Sequence, residues 1–302
     1  MKNTIKIIIA SAILASSSFG ASCSVTNGKI TNTNDCFITP EEYKFTLHKL
    51  MLCSATPSVM SKSRYEHLGD GFQIDLSGCD PIVDIPNGQL ITTSVGSSTP
   101  LQNVKINSVN KVYTHYAIVI KNEITTKAKA EFNTIRYGAG LSQGRYCWTK
   151  NMTILKSDVD NVVNGSLTWY NQNNRNNWSA ECSSSFGTVG YLTEKIDRWG
   201  DGPGNGDVVD SDEAPRTNLR VVAVDDSYKV HVNSAGLSKV ILFYPLTKNI
   251  NLKDTKQLDV KVTVTDSVES DNVSPHYDNN SYLNGYNVIL RAGAFNFDIV
   301  AR

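Results

Sequence analysis
The chain of 302 residues has no charge imbalance: 29 Lys and Arg face 29 Asp and Glu. It has no basic run either, and because proteins that grip nucleic acid draw affinity from a basic excess, a nucleic-acid partner is set aside. No stretch approaches the roughly 20 consecutive apolar residues of a membrane-spanning helix, so no transmembrane segment is expected. Zinc finds no Cys-x-x-Cys pair. The histidines His48, His67, His115, His231 and His276 are scattered, sharing neither an i, i+4 helix face nor a His-x-His strand face. Gly-x-Ser-x-Gly, P-loop and dinucleotide glycine patterns are missing, so no motif names a catalytic chemistry. A hydrolase built on this chain would have to gather its residues from distant loops.

What is present begins with a leader. In MKNTIKIIIASAILASSSFGAS, Lys2 and Lys6 precede an apolar run from Ile7 to Ala15, and small residues follow. That order reads as a secretory signal peptide over residues 1–20, with cleavage near Gly20 or Ala21. The expected location is secreted, extracellular or cell-surface, with the periplasm as the alternative. All six cysteines, Cys23, Cys36, Cys53, Cys79, Cys147 and Cys182, lie beyond the leader. An oxidising destination predicts three disulfides. Six cysteines allow fifteen pairings; neighbours in order, Cys23 with Cys36, Cys53 with Cys79 and Cys147 with Cys182, are the favoured set.

The patterning is that of strands. LDVKVTVTD places Leu258, Val260, Val262 and Val264 on one face, and AFNFDIVAR does the same with Phe295, Phe297 and Ile299. YKFTLHKLMLC runs Tyr43, Phe45 and Leu47 in phase and then switches to Leu50 and Leu52, which predicts a bulge. VYTHYAIVI is apolar on both faces, as a central strand is. FQIDL, RVVAV, YKVHV, KVILFY and YNVIL read as further strands. The fold class is all-β: an antiparallel β-sandwich with two domains, residues 21–138 and 139–302, divided at the glycine-rich RYGAGLSQGRY, with one elongated domain as the alternative.

The stretches YKFTLHKLMLCSATPS, YTHYAIVIKN and YCWTK resemble secreted β-rich proteins of marine bacteria that have no assigned activity. That resemblance implies a prealbumin-like or immunoglobulin-like sandwich and no transferable chemistry.

Candidate sites are few. His115, on a strand, reads either as a buried base or as a core residue bonded to backbone. The pairs Glu41 with Glu42 and Asp225 with Asp226 alternate faces and do not flank one bond as a glycosidase requires. Trp148, Trp169, Trp178 and Trp199 fall close together, and WYNQNNRNNWSAEC joins aromatics to amides. Trp169, Tyr170, Asn174 and Trp178 are therefore the expected ligand-binding residues, since rings stack on a sugar face and amides bond its hydroxyls. The competing reading packs these indoles in the core. DNVSPHYDNNSYLNGY reads as a second polar loop. DRWGDGPGNGDVVDSDE sets six acids against Arg198. Counted from Asp201, it places Asn205 at position five, Gly206 at six and Asp212 at twelve of a calcium loop, but Pro203 at three offers no side-chain ligand. Asp201, Asn205, Asp207 and Asp212 are the candidate calcium ligands, with a solvated acidic loop as the alternative. The function expected is an exported structural or adhesive surface protein without catalysis, whose partners are surface-assembly subunits. A carbohydrate-binding module taking a surface glycan, and a secreted hydrolase, are the alternatives.

Overall fold
A computed structural model describes residues 8–10, 22–61, 68–69, 71–95, 98–101, 110–155, 178–196, 220–231, 236–278, 281–293 and 295–302. The strands, in chain order, are β1 (Ile8–Ala10), β2 (Val25–Thr26), β3 (Lys29–Ile30), β4 (Cys36–Ile38), β5 (Glu42–Cys53), β6 (Cys79–Thr93), β7 (Ser98–Pro100), β8 (Val112–Lys127), β9 (Lys129–Tyr137) and β10 (Gln143–Thr149). They continue with β11 (Met152–Leu155), β12 (Ala180–Ser183), β13 (Leu192–Lys195), β14 (Arg220–Val224), β15 (Lys239–Asn251), β16 (Leu258–Thr263), β17 (Val268–Asp278), β18 (Ser281–Ala292) and β19 (Asn296–Ala301). Among the described residues the only helical pieces are short 3-10 turns at Ser58–Ser61 and Ala139–Leu141.

A central sheet is built around β8, which pairs with β5 on one edge and with β15 and β13 on the other. Its apolar run explains this place, for Tyr116, Ala117, Ile118, Val119 and Ile120 are all buried. β5 follows the expected phase switch: Tyr43, Phe45 and Leu47 face the same core as Leu50 and Leu52, and the register with β8 shifts between Leu47 and Lys49. The extra residue returns the apolar set to one side. The opposite face of the central sheet, with Met51, Val119, Val222 and Phe243, is covered by Val59, Leu68, Ile74 and Val230.

A cover sheet ordered β19-β16-β1-β7 lies on the first of these faces. Leu258, Val260, Val262 and Val264 of β16 and its extension, with Phe295, Phe297 and Ile299 at β19, join the main core as their alternation predicts. Phe45 stacks on Phe295 at 4.8 Å, and Tyr116 on Tyr244 at 4.9 Å. The tyrosines bring polar tips into this core, and each tip has a partner. Tyr43 donates to the carbonyl of Gly293 (2.9 Å), Tyr244 to that of Phe295 (3.2 Å) and Tyr116 to that of Phe297 (2.5 Å). Carbonyls two residues apart point to the same side of an extended chain, so three hydroxyls from the central sheet satisfy one row of acceptors in the segment leading into β19. The terminal strand thereby completes its own chain's sheet. Ile8–Ala10, inside the expected leader, occupies the position between β16 and β7, parallel to the first and antiparallel to the second.

The third sheet runs β12-β10-β9-β18-β17-β4, with the β2–β3 hairpin joined to β9. The chain enters it at Ala128, a fully buried corner between β8 and β9 whose amide and carbonyl both engage Thr149. The favoured disulfides are the observed ones: Cys23–Cys36, Cys53–Cys79 and Cys147–Cys182. The last two join residues directly opposite each other on β5–β6 and β10–β12. At a sequence separation of 35, the Cys147–Cys182 link removes denatured-state entropy worth about 4 kcal/mol in the chain-closure treatment.

Several expectations are corrected. The sheets are mixed rather than purely antiparallel, because β1–β16, β3–β9, β9–β18 and β11–β13 are parallel. Strands that return to a sheet through another layer are free of the hairpin's antiparallel constraint. RYGAGLSQGRY is the connection of the antiparallel β9–β10 hairpin, and both larger sheets take strands from either side of residue 138. DNVSPHYDNNSYLNGY belongs to the β17–β18 hairpin, whose register slips around Pro275. Among the described residues FQIDL and YKVHV meet each other through a single bridge between Gln73 and Lys229 with its flanking backbone hydrogen bonds, and form no longer ladder.

Candidate functional site
The outward face of the third sheet carries a groove of about 410 Å³. Alternation along β9 buries Ala130, Phe132 and Arg136 and turns Glu131 and Ile135 outward. On β10 a register shift between Gly144 and Tyr146 sets Tyr146 opposite Glu131 while Cys147 enters the core. Gly144 permits a close approach of β12: a Cβ there would lie 1.8 Å from the backbone oxygen of Ser183. Lys29 of β3 reaches the same surface and pairs with Glu131 at 3.0 Å. Lys29 chiefly, with Tyr146 and Arg145, holds the Glu131 carboxyl below the usual carboxylate range.

Gln143, Arg145 and Ser184 line the groove, and their side chains have no hydrogen-bond or ion-pair partner among the described residues. Beside them Tyr146 meets Phe186 edge-on at 4.8 Å, and Phe186 is 39% exposed. Lys129 lies 5.4 Å from the Phe186 ring and forms an ion pair with Glu41 at 2.6 Å. Such a surface offers a planar cation, an amide, a hydroxyl and aromatic edges to a ligand from solvent.

Beneath it sits a buried charge. Arg136 is fully buried, donates to the Asn32 carbonyl (2.7 Å) and to Thr134, and lies between the rings of Phe132 and Tyr286 at 4.6 and 5.1 Å. Its Nε has no partner among the described residues, and burial pushes its pKa down to about 10.

The expected binding residues divide. Trp178 is 5% exposed and packs with Ala139 and Ile289, so it is a core indole and not a stacking platform. Trp148 is buried as well, its ring pressed against Gly187, where a Cβ would lie 2.4 Å away. Apolar neighbours claimed Trp178 despite its polar sequence surroundings. Trp169, Tyr170 and Asn174 lie outside the described residues, as do Trp199 and the calcium candidates Asp201, Asn205, Asp207 and Asp212. Among the described residues no three His, Cys, Asp or Glu side chains group as a metal site.

The remaining titratable candidates are structural. His115 Nδ1 bonds the neighbouring Thr114 hydroxyl at 2.8 Å, a side-chain partner where backbone was expected, and burial lowers its pKa. Asp225 accepts from the amides of Ser227 and Lys229 and meets His231 at 2.9 Å, shaping the turn after β14. Asp226 holds Lys239 at 3.0 Å. Glu41 and Glu42 are ion-paired with Lys129 and Lys44 respectively. Sequence reasoning missed the groove, although RYCWTK carried a usable signal: Cys147 in a core forces Tyr146 to the other face. No protein-family model, curated protein or solved structure matches the chain.

Proposed function
We propose that the chain is an exported surface protein of structural type, a β-sandwich subunit without catalytic activity that assembles with other copies. The supporting observation is the place of Ile8–Ala10. These residues belong to the expected leader, yet they are the strand between β16 and β7 in the sheet that covers the main core. Removal of the leader takes from β16 its parallel neighbour and from β7 its pairing. A one-strand gap in a sheet is a template for a strand donated in trans. The three disulfides suit a protein working in an oxidising space. The test is the size of the secreted chain in solution, measured by light scattering after its N-terminus is fixed by intact mass. Mature chains that associate, and that a peptide spanning residues 4–14 dissociates, support the reading. A strictly monomeric mature protein that ignores the peptide refutes it.

A second reading, adhesion through a surface glycan, is favoured by the groove. Its open rim of polar side chains, unpaired among the described residues, beside the exposed Phe186 and the half-buried Tyr146 suits a saccharide better than the tryptophans do, since Trp148 and Trp178 are buried. Glycan-array binding by the monomeric protein tests it.

A further inference from the structure
The groove's polar groups are unequal in what they leave unsatisfied, and this difference selects among saccharides. Glu131 is committed to Lys29 and, on its other side, to Tyr146. Lys129 is committed to Glu41. Arg145 is exposed, lines the groove and makes no hydrogen bond or ion pair among the described residues. Its charge acts on Glu131 only through space, and that carboxylate is already ion-paired with Lys29. Gln143 and Ser184 flank it with an amide and a hydroxyl that make no hydrogen bond among the described residues, and Ile135, 44% exposed, adds an apolar patch.

We infer that this groove binds an acidic saccharide, with Arg145 taking the carboxylate of a uronate or sialate residue. The planar guanidinium matches a carboxylate through two parallel N–H donors, a geometry that a neutral sugar cannot use. Gln143 and Ser184 exchange hydrogen bonds with ring hydroxyls, and the apolar face of the ring lies against Ile135 and the Tyr146–Phe186 pair. A groove of about 410 Å³ falls in the size range of small-ligand sites. A nucleic acid fits poorly, since the surrounding lysines are already neutralised and the chain carries no net charge. The inference rests on the glycan reading and sharpens it.

The experiment uses the secreted protein and calorimetric titration with oligomers of galacturonate, guluronate and mannuronate and with sialyllactose. The methyl ester of each serves as its uncharged twin. Binding of at least one acid form is expected, weakened about tenfold or more by esterification and to the same extent by Arg145→Gln. Lys248→Gln, which removes the same charge at an exposed position outside the groove lining, should leave affinity unchanged. Acid and ester binding equally, or Arg145→Gln binding like wild type, overturns the acidic assignment while leaving a neutral-glycan site. No binding by any acid form overturns the inference too, and a neutral array run alongside shows whether the glycan reading falls with it.

Discussion
Replacing Tyr43 by Phe keeps the ring and removes one oxygen. Tyr43 is fully buried, and its hydroxyl has a single partner, the Gly293 carbonyl at 2.9 Å. The aromatic packing against Phe295 at 5.1 Å is retained, so no cavity opens, and the cost is that of a buried carbonyl deprived of its donor. A net hydrogen bond contributes about 1 kcal/mol, and a stranded buried acceptor costs about 1–3 kcal/mol; Tyr43→Phe should therefore destabilise by about 1–2 kcal/mol. Tyr116 and Tyr244 stack on each other and should show coupled losses. The triple Phe variant should lose about 3–5 kcal/mol, read from urea unfolding at pH 7. A second signature is alkaline. Burial first, then the charges of Glu194 and Tyr244, holds the Tyr43 phenol well above its ordinary value of 10.0. Only the unfolded state ionises near that pH, so the folded state binds more protons and stability falls as pH climbs past about 10. Tyr43→Phe should blunt that fall, with Tyr113, also raised, supplying the remainder. An unfolding free energy within about 0.3 kcal/mol of wild type, with an unaltered alkaline limb, would refute the claim that these hydroxyls satisfy the strand.

Gly144→Ala forces a Cβ to within 1.8 Å of the Ser183 backbone, while Cys147–Cys182 prevents β12 from moving away; a loss of about 3 kcal/mol is expected. Gly78→Ala, whose Cβ would meet only Ala55 at 3.7 Å, should stay within about 0.5 kcal/mol, and equal losses from the two in thermal unfolding would contradict this. Arg136→Met keeps the contacts with Phe132 and Tyr286 and removes a buried charge that has no ion-pair partner among the described residues, so it should remain within about 1 kcal/mol of wild type, whereas Arg136→Ala should cost about 3 kcal/mol; identical losses would assign the stabilisation to the guanidinium's own hydrogen bonds. His48, through burial and then the charge of Lys239, and His115, through burial, both have lowered pKa values. The unfolded state then binds more protons below its ordinary value near 6.5, and stability should decline as pH falls from about 6.5 toward the folded values. A His48→Gln, His115→Gln variant should show a flatter urea-midpoint profile between pH 7.5 and 5, and an unchanged slope would count against this origin.

The parts of the fold that were legible share one property: their periodicity is fixed by a core on a known side. Val260 and Val262, and Phe297 and Ile299, alternate because one face of their sheet is buried. β5 announced its bulge because Leu47 and Leu50 cannot both face inward without it. Alternation misled where burial comes without a ladder. Ile74 and Val230 are buried in an irregular cover over the central sheet, where FQIDL and YKVHV pair only with each other, through one bridge and its flanking backbone hydrogen bonds. The reverse happened at residues 271–286, where Asn, Asp, Ser and Pro favour turns but pairing between β17 and β18 prevails. The groove was illegible because Lys29, Glu131, Arg145 and Ser184 converge only through register between strands far apart in sequence. A one-residue slip in β10 would move Arg145 to another face.

The three tyrosine bonds also bear on when this protein can fold. Tyr43 waits for Gly293, 250 positions downstream, and Tyr116 for Phe297, 181 positions downstream. While the chain emerges in order, the tyrosine-bearing face of β5, β8 and β15 lacks the cover that β16 and β19 supply until the last residues arrive. Folding domain by domain from the N-terminus is closed to such a topology, and closing loops of this length makes the final step slow. The nascent chain spends that interval with one face of its most apolar strands short of its cover. The order in which the strands arrive is therefore as much a part of the fold as its contacts.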